Sequence, residues 1–175
     1  NREPHAVIQV VRCFEDENIV HVEGSVNPVR DIETIQIELA LADLASAEKR
    51  RDKAMRAAKA GDKDAKREIE ILDKLQPVLE EGRPARSVDL ADEEKSIVKT
   101  WFFLTTKPTI YAANVDEATL ADPASNQHVQ AVMKHAESEN ADVVPICAKL
   151  EAELVALDPA ERDEYLKDLG LSSSG

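Results

Sequence analysis

Short, nearly continuous apolar runs alternate along this chain with longer stretches in which apolar residues recur every three or four positions. Three runs have the length and the bounding signals of buried strands: Ala6–Phe14, Thr109–Asn114 and Val143–Cys147. Strands separated by helical patterns predict an α/β fold with a parallel sheet and crossover helices. Ala6–Phe14 is apolar at almost every position and should have neighbours on both sides. Pro145 cannot donate to a ladder, so the third run is expected at a sheet edge. With three strands one outer strand is left unprotected. This predicts a piece of a larger sheet and self-association through the exposed edge of Ala6–Phe14.

Residues 15–107 separate the first two runs, far more than an ordinary crossover needs, so most of this segment reads as an insertion. Asp31–Ala60 is a helix pattern with Ile37, Leu41 and Leu44 on one face. Gly61 ends it and Asp62 can cap the next helix, whose seam is Ala65, Ile69, Leu72, Gln76 and Leu79. A 30-residue helix is roughly 45 Å long, so two helices meeting at one Gly predict a long antiparallel hairpin. Pro77 should kink or restart the second helix, and a third is expected over Asp92–Phe103 with Ala91 in place of a Ser or Thr cap. Beyond Asn114 the pattern predicts a loop to Asn126, then a helix with Val129, Val132, Met133 and Ala136 inward. A last helix starts at Asp158-Pro159-Ala160-Glu161, and Ser172–Gly175 should fray.

Composition agrees with long solvated helices: 43% hydrophobic, 33% charged and only 3% aromatic over 175 residues. Apolar stretches fall short of the roughly 20 residues that span a bilayer, and no basic-then-apolar leader is seen, so export is not expected. Two cysteines, Cys13 and Cys147, suit a reduced, cytoplasmic setting. The net charge of −13 conceals a basic island: residues 48–67 hold nine cationic and four anionic side chains. Its cations are Lys49, Arg50, Arg51, Lys53, Arg56, Lys59, Lys63, Lys66 and Arg67, placed at the hairpin tip and positioned to meet a polyanion. The same residues also fit a plain helix surface with i,i+4 pairs such as Asp62 with Lys66.

The candidate chemistry lies at strand ends, where open α/β sheets collect ligands. Asn114-Val-Asp-Glu117 follows the second run directly, and Cys147-Ala148-Lys149 leaves the third. An Asn amide can donate to and accept from a purine edge together, although Asn114 could equally cap the next turn. His5, His21, His128 and His135 are scattered without metal-ligand spacing. Glu15 and Asp16 read as an exposed loop, and Trp101-Phe102-Phe103 as core.

Denser signals resemble one family. Gln9-Val-Val-Arg-Cys-Phe-Glu15, His21-Val-Glu-Gly-Ser-Val-Asn-Pro28, Asp31-Ile-Glu33, Glu38-Leu-Ala-Leu-Ala-Asp43, Gly61-Asp-Lys-Asp-Ala-Lys66, Leu104-Thr-Thr-Lys-Pro108, Ala113-Asn-Val-Asp-Glu117 and Pro145-Ile-Cys-Ala-Lys149 are similar to the YchF group of Obg-like ATPases, a branch of the P-loop GTPase class. The resemblance implies a partial three-layer, Rossmann-like P-loop NTPase sheet. Residues 1–30 and 104–175 would form later strands of the nucleotide-binding domain, and 31–103 an inserted coiled-coil hairpin. It implies that Asn114, Val115, Glu117, Cys147, Ala148 and Lys149 surround the base, with Val115 walling the base plane. ATP is then preferred and GTP tolerated less well, because Glu117 replaces the Asp that reads guanine. It also implies ribosome association, with the basic island near RNA.

No G-x-x-x-x-G-K-[ST] and no Asp-x-x-Gly capable of holding Mg²⁺ occur in the chain. Mg²⁺ and hydrolysis are therefore expected only of a complete protein, and this chain alone should be inactive. Two other readings stand beside the base-binding one. The hairpin could be an autonomous module for RNA, ribosome or protein, or the chain could be a helical spacer in which Asn114 and Glu117 only cap turns.

Overall fold

The computed structural model describes residues 6–15 and 26–168, so His5, His21, Asp16 and the Ser172–Gly175 tail fall outside it. Three strands, β1 (Val7–Arg12), β2 (Thr109–Asn114) and β3 (Asp142–Ile146), form one sheet in the order β1-β2-β3. β2 and β3 are parallel, with Asn114 opposite Ile146. β1 runs the same way along β2, since Val7 N–H donates to Pro108 O at 2.9 Å and Cys13 N–H to Asn114 O at 2.8 Å. β3 with its Pro145 is an edge, as expected. β1 is the other edge, and its Ile8 and Val10 are 66% and 61% exposed, so the two-sided burial its composition suggested is not met within this chain.

The chain divides into two compact units. One comprises Asn1–Val7 and Glu33–Pro108 and holds most of α1 (Pro28–Lys59), α2 (Lys63–Glu80) and α3 (Asp92–Lys99). Asp62 caps α2 by accepting from the N–H groups of Asp64 and Ala65, and Gly61 makes the turn at φ +93°. The helices α1 and α2 are antiparallel: Arg50 meets Glu68 and Arg51 meets Asp73 and Gln76. α2 runs unbroken through Pro77, because a proline so near the helix end costs a single backbone bond.

The buried face of α1 is not the one that bulk suggested. Ala40, Asp43, Ala47 and Ala54 point inward, whereas Ile37 and Leu41 are about half exposed. Small side chains let the partner's Ile71, Leu72, Leu75 and Leu79 come close and fill the space themselves. α3 stops at Lys99 rather than Phe103. Phe102 then takes a left-handed φ of +57° and turns outward, 64% exposed, while Trp101 and Phe103 join the core.

The second unit comprises Ile8–Ile32 and Thr109–Gly175. It carries α4 (Glu117–Leu120), α5 (Gln127–Glu139), α6 (Ala148–Val155) and α7 (Pro159–Asp168) around the sheet. Val11, Cys13, Ile32, Tyr111, Ala113, Val115, Val129, Val132 and Ala136 make its main core. Met133, expected inward, is 49% exposed. Leu150, Leu154 and Leu166 make a smaller core beneath α6 and α7.

Candidate functional site

The carboxyl ends of the three strands are tied to one another by the chain segments that leave them. Cys13 N–H donates to Asn114 O at 2.8 Å, and Val115 N–H donates to Ile146 O at 2.8 Å. Asn126 caps α5 through its Oδ1, which accepts from His128 and Val129, and its Nδ2 donates to Cys13 O at 3.1 Å. The loop after β2 is thus held to the end of β1 as firmly as to β3.

Asn114 occupies the middle of this arrangement. Its Oδ1 accepts from Ala148 N–H at 3.0 Å, across 34 positions of sequence. The residue is half-buried, and its side chain does not cap the next turn, because Asp116 does that by accepting from Thr119 N–H at 3.0 Å. An N–H donor on one side of the amide fixes which way it faces, with oxygen toward Ala148. The Nδ2 donors engage no protein acceptor among the described residues, and Oδ1 keeps a second lone pair. The group therefore presents a paired donor and acceptor in a fixed orientation.

The other expected base contacts divide. Ala148 and Lys149 are exposed on the first turn of α6, and Glu117 is half-buried as the first residue of α4. Cys147 is buried and turns its Sγ inward to accept from Leu150 N–H at 3.4 Å, so only its backbone faces the strand end. Val115 is the most buried of the group. It is 1% exposed in the core with Val11, Cys13 and Val129, because strand alternation sends it to the face opposite Asn114.

One group near this crevice gave no sequence signal. Tyr165 of α7 donates to Glu153 Oε2 at 2.8 Å. That bond first, then burial and the charges of Glu153, Glu117 and Cys147, push its hydroxyl up to about 12. Burial likewise pushes the Cys13 thiol up to about 11. Among the described residues no group of three or more His, Cys, Asp or Glu side chains could hold a metal ion. No described helix is long and apolar enough to cross a membrane.

The basic island separates into two populations. Arg50 lies over the Trp101 ring at 4.9 Å and reaches Glu68 at 3.4 Å; Arg51 bonds Asp73 at 2.5 Å and also Gln76; Arg67 reaches Glu93 at 3.5 Å. Arg50 and Arg51 are half-buried in these contacts, whereas the Arg67 pair is exposed. Lys49, Lys53, Arg56, Lys59, Lys63 and Lys66 are exposed.

The chain resembles known proteins along nearly its whole length. The chain is 45% identical over 174 residues to the ribosome-binding ATPase YchF of Bacillus subtilis, covering 99% of this chain and 48% of that protein. It is 48% identical to the protein of the same name from Pasteurella multocida, over 99% of this chain and 47% of that one. To the yeast Obg-like ATPase 1 it is 34% identical, over 96% and 44%. The YchF GTPase structure from Schizosaccharomyces pombe superposes with a TM-score of 0.76 and 30% identity, over 97% of this chain and 47% of that one. No family model matches. The chain spans about half the length of the curated relatives it matches. The likeness to YchF-type Obg-like ATPases accordingly holds along nearly the whole chain, and the α/β fold is of the P-loop NTPase kind.

Proposed function

We propose that this chain, similar throughout to part of the YchF-type ATPases, supplies the base-recognition end of a cytoplasmic, ribosome-associated nucleotidase together with its helical arm. Residues 1–30 and 104–175 belong to the nucleotide-binding domain in this reading, and 31–103 to the inserted arm. The observation that carries it is the Asn114 amide held by Ala148 N–H at the joined ends of β2 and β3. Adenine offers an N6–H donor beside an N7 acceptor, which complements one amide oxygen and one amide nitrogen. Guanine offers two acceptors at the same edge. An amide whose orientation is pinned meets only one of them and sets its oxygen against the other, which supports ATP over GTP.

The residues fit a purine on this edge, with Glu117, Ala148 and Lys149 at its rim. Phosphate cradling and Mg²⁺ belong to motifs that these residues do not supply, so hydrolysis is assigned to the complete protein only. The test is titration of ATP and GTP into the full-length protein and its Asn114→Ala variant. A bidentate base contact is worth about 1–3 kcal/mol, so the variant should bind ATP roughly 5- to 150-fold more weakly. Equal ATP affinity in the two proteins would remove Asn114 from the pocket. The second reading, an RNA-facing hairpin, is supported by the seven exposed cations at and near the turn, Arg67 among them.

A further inference from the structure

The segment between Asn114 and Asn126 leaves the end of β2 with little apolar anchorage. Its helix α4 and the single turn Pro123–Ser125 bury no residue. Val115 and, in part, Leu120 are its residues that join the core. A polar side chain fastens the far end instead. Asn126 Oδ1 accepts from His128 N–H at 2.8 Å and from Val129 N–H at 3.2 Å. Those two donors fix the amide, so that Nδ2 is the atom turned to Cys13 O, at 3.1 Å. Cys13 is wholly buried, and among the described residues this amide is the donor that meets its carbonyl. The Cys13 N–H in turn donates to Asn114 O at 2.8 Å, and the Asn114 side chain is held by Ala148 N–H at 3.0 Å. Four residues remote in sequence are thus linked in series.

Capping α5 uses only the oxygen of Asn126. Asp or Ser would cap the helix as well, so the amide nitrogen answers to Cys13 and not to the helix. We infer that Asn126 is a positioning residue for base recognition: through Cys13 it fixes where the Asn114 amide stands, and so contributes to the choice of ATP over GTP. The inference rests on the base-binding reading proposed above and adds a determinant of its selectivity. Adenine needs the amide oxygen and nitrogen of Asn114 in place together, whereas guanine meets only one of them. Phosphate contacts, which neither asparagine makes, serve both nucleotides alike. A displaced Asn114 therefore weakens ATP more than GTP.

The experiment measures ATP and GTP affinities of the full-length protein by calorimetric titration. It compares wild type, Asn126→Asp, Asn126→Ser and Asn114→Ala, and each Asn126 variant combined with Asn114→Ala. Asn126→Asp keeps a capping oxygen and places a favourable charge at the start of α5, but sets its second oxygen against Cys13 O. Asn126→Ser keeps the cap and removes the nitrogen without adding repulsion, so it carries the same comparison independently of any loss of fold in Asn126→Asp. ATP affinity should fall about 2- to 10-fold in each, the range that one hydrogen bond spans. GTP affinity should fall less, so the preference narrows; a role confined to capping or general stability leaves that preference unmoved. In the Asn114→Ala background neither substitution at Asn126 should alter ATP affinity further. An unchanged ATP-to-GTP ratio in both Asn126 variants, with Asn114→Ala weakening ATP, overturns the positioning role and leaves base recognition by Asn114 standing. Equal losses with and without the Asn114 amide overturn it as well, because Asn126 then acts by another route. ATP affinity unaffected by Asn114→Ala removes both.

Discussion

Replacing Asp43 should cost the helical unit a large part of its stability. Asp43 sits on α1 at 2% exposure, and its two oxygens hold the chain leaving the Trp101–Phe103 segment. Oδ1 accepts from Leu104 N–H at 2.8 Å, and Oδ2 accepts from Thr105 N–H at 2.7 Å and from the Thr105 hydroxyl at 2.5 Å. Thr105 passes the restraint on, because its Oγ1 accepts from Ala85 N–H at 2.9 Å and its carbonyl accepts from Arg86 N–H at 3.1 Å. Asp43→Ala removes the acceptor of every one of these first bonds and leaves the Thr105 N–H buried and the Leu104 N–H part-buried without a partner. An orphaned buried donor costs about 1–3 kcal/mol, so the loss should be about 2–4 kcal/mol with the part-buried donor included. Asp43→Asn retains one acceptor and sets an amide N–H₂ against a donor, so about 1–3 kcal/mol is expected. Thr105→Val removes one hydroxyl and should cost about 1–2 kcal/mol. Urea unfolding followed by Trp101 emission reads this unit, and a double-mutant cycle between Asp43 and Thr105 should return a coupling near 1 kcal/mol or more, as about 0.5–3 is usual for contacting residues. Hydrogen exchange at Leu104 and Thr105 should accelerate in the variant. An Asp43→Ala loss below about 1 kcal/mol would refute the reasoning, since an unsatisfied buried Thr105 N–H could not be that cheap.

Three titratable groups provide further checks. The bonds from Lys74 to Glu94 at 2.9 and 3.0 Å, with that from Ala91 N–H, lower the Glu94 carboxyl from its ordinary 4.5. Its contribution is therefore complete above that value and disappears as pH falls through the lowered one; the stability gap between wild type and Glu94→Gln should close over that acid range in urea melts, and a pH-independent gap would contradict it. Tyr165 behaves in the opposite direction. With its hydroxyl raised from 10.0 to about 12, the stability it gains is complete below 10.0 and is lost as pH rises through 12, so Tyr165→Phe should converge with wild type in strong alkali. Ultraviolet titration showing tyrosinate from Tyr165 forming near 10.0 in the folded chain would refute this. The Cys13 thiol, fully buried and raised to about 11, should resist iodoacetamide at neutral pH until urea unfolds the chain. Labelling of the folded chain at the rate of a free thiol, located by peptide mass, would contradict its placement.

The strands were legible because their signal is local. Thr109–Asn114 is β2 to the residue, and the other two strands lie within one or two positions of the apolar runs that announce them. The strand-end position of Asn114 was equally readable, since it depends only on where an apolar run stops. What failed depended on the partner. Ile37 and Leu41 looked inward on bulk alone, yet the facing helix supplies the bulk and α1 supplies the alanines. Val115 belongs to the neighbouring face because the strand's alternation continues one residue past the ladder. Phe102 turned outward because the chain leaves α3 through a left-handed residue, which no aromatic triplet advertises.

Asp43 and Asn114 show why the family likeness was informative where periodicity was not. Each carries a polar side chain that satisfies backbone N–H groups far along the chain, 61 and 62 positions away for Asp43 and 34 for Asn114. Bonds of that reach leave no periodic trace, since neither end alters the apolar pattern around it. They do constrain both ends together. Asp43 closes one of the segments that resemble the family, and its partners Leu104 and Thr105 open another; Asn114 and Ala148 lie in two more. Substituting either acceptor strands a donor in a different segment, and a bulkier neighbour at the donor displaces the acceptor. In these four segments one residue's chemistry is committed to another's backbone. At Asn114 that commitment orients the amide, and an oriented amide can distinguish one purine edge from the other.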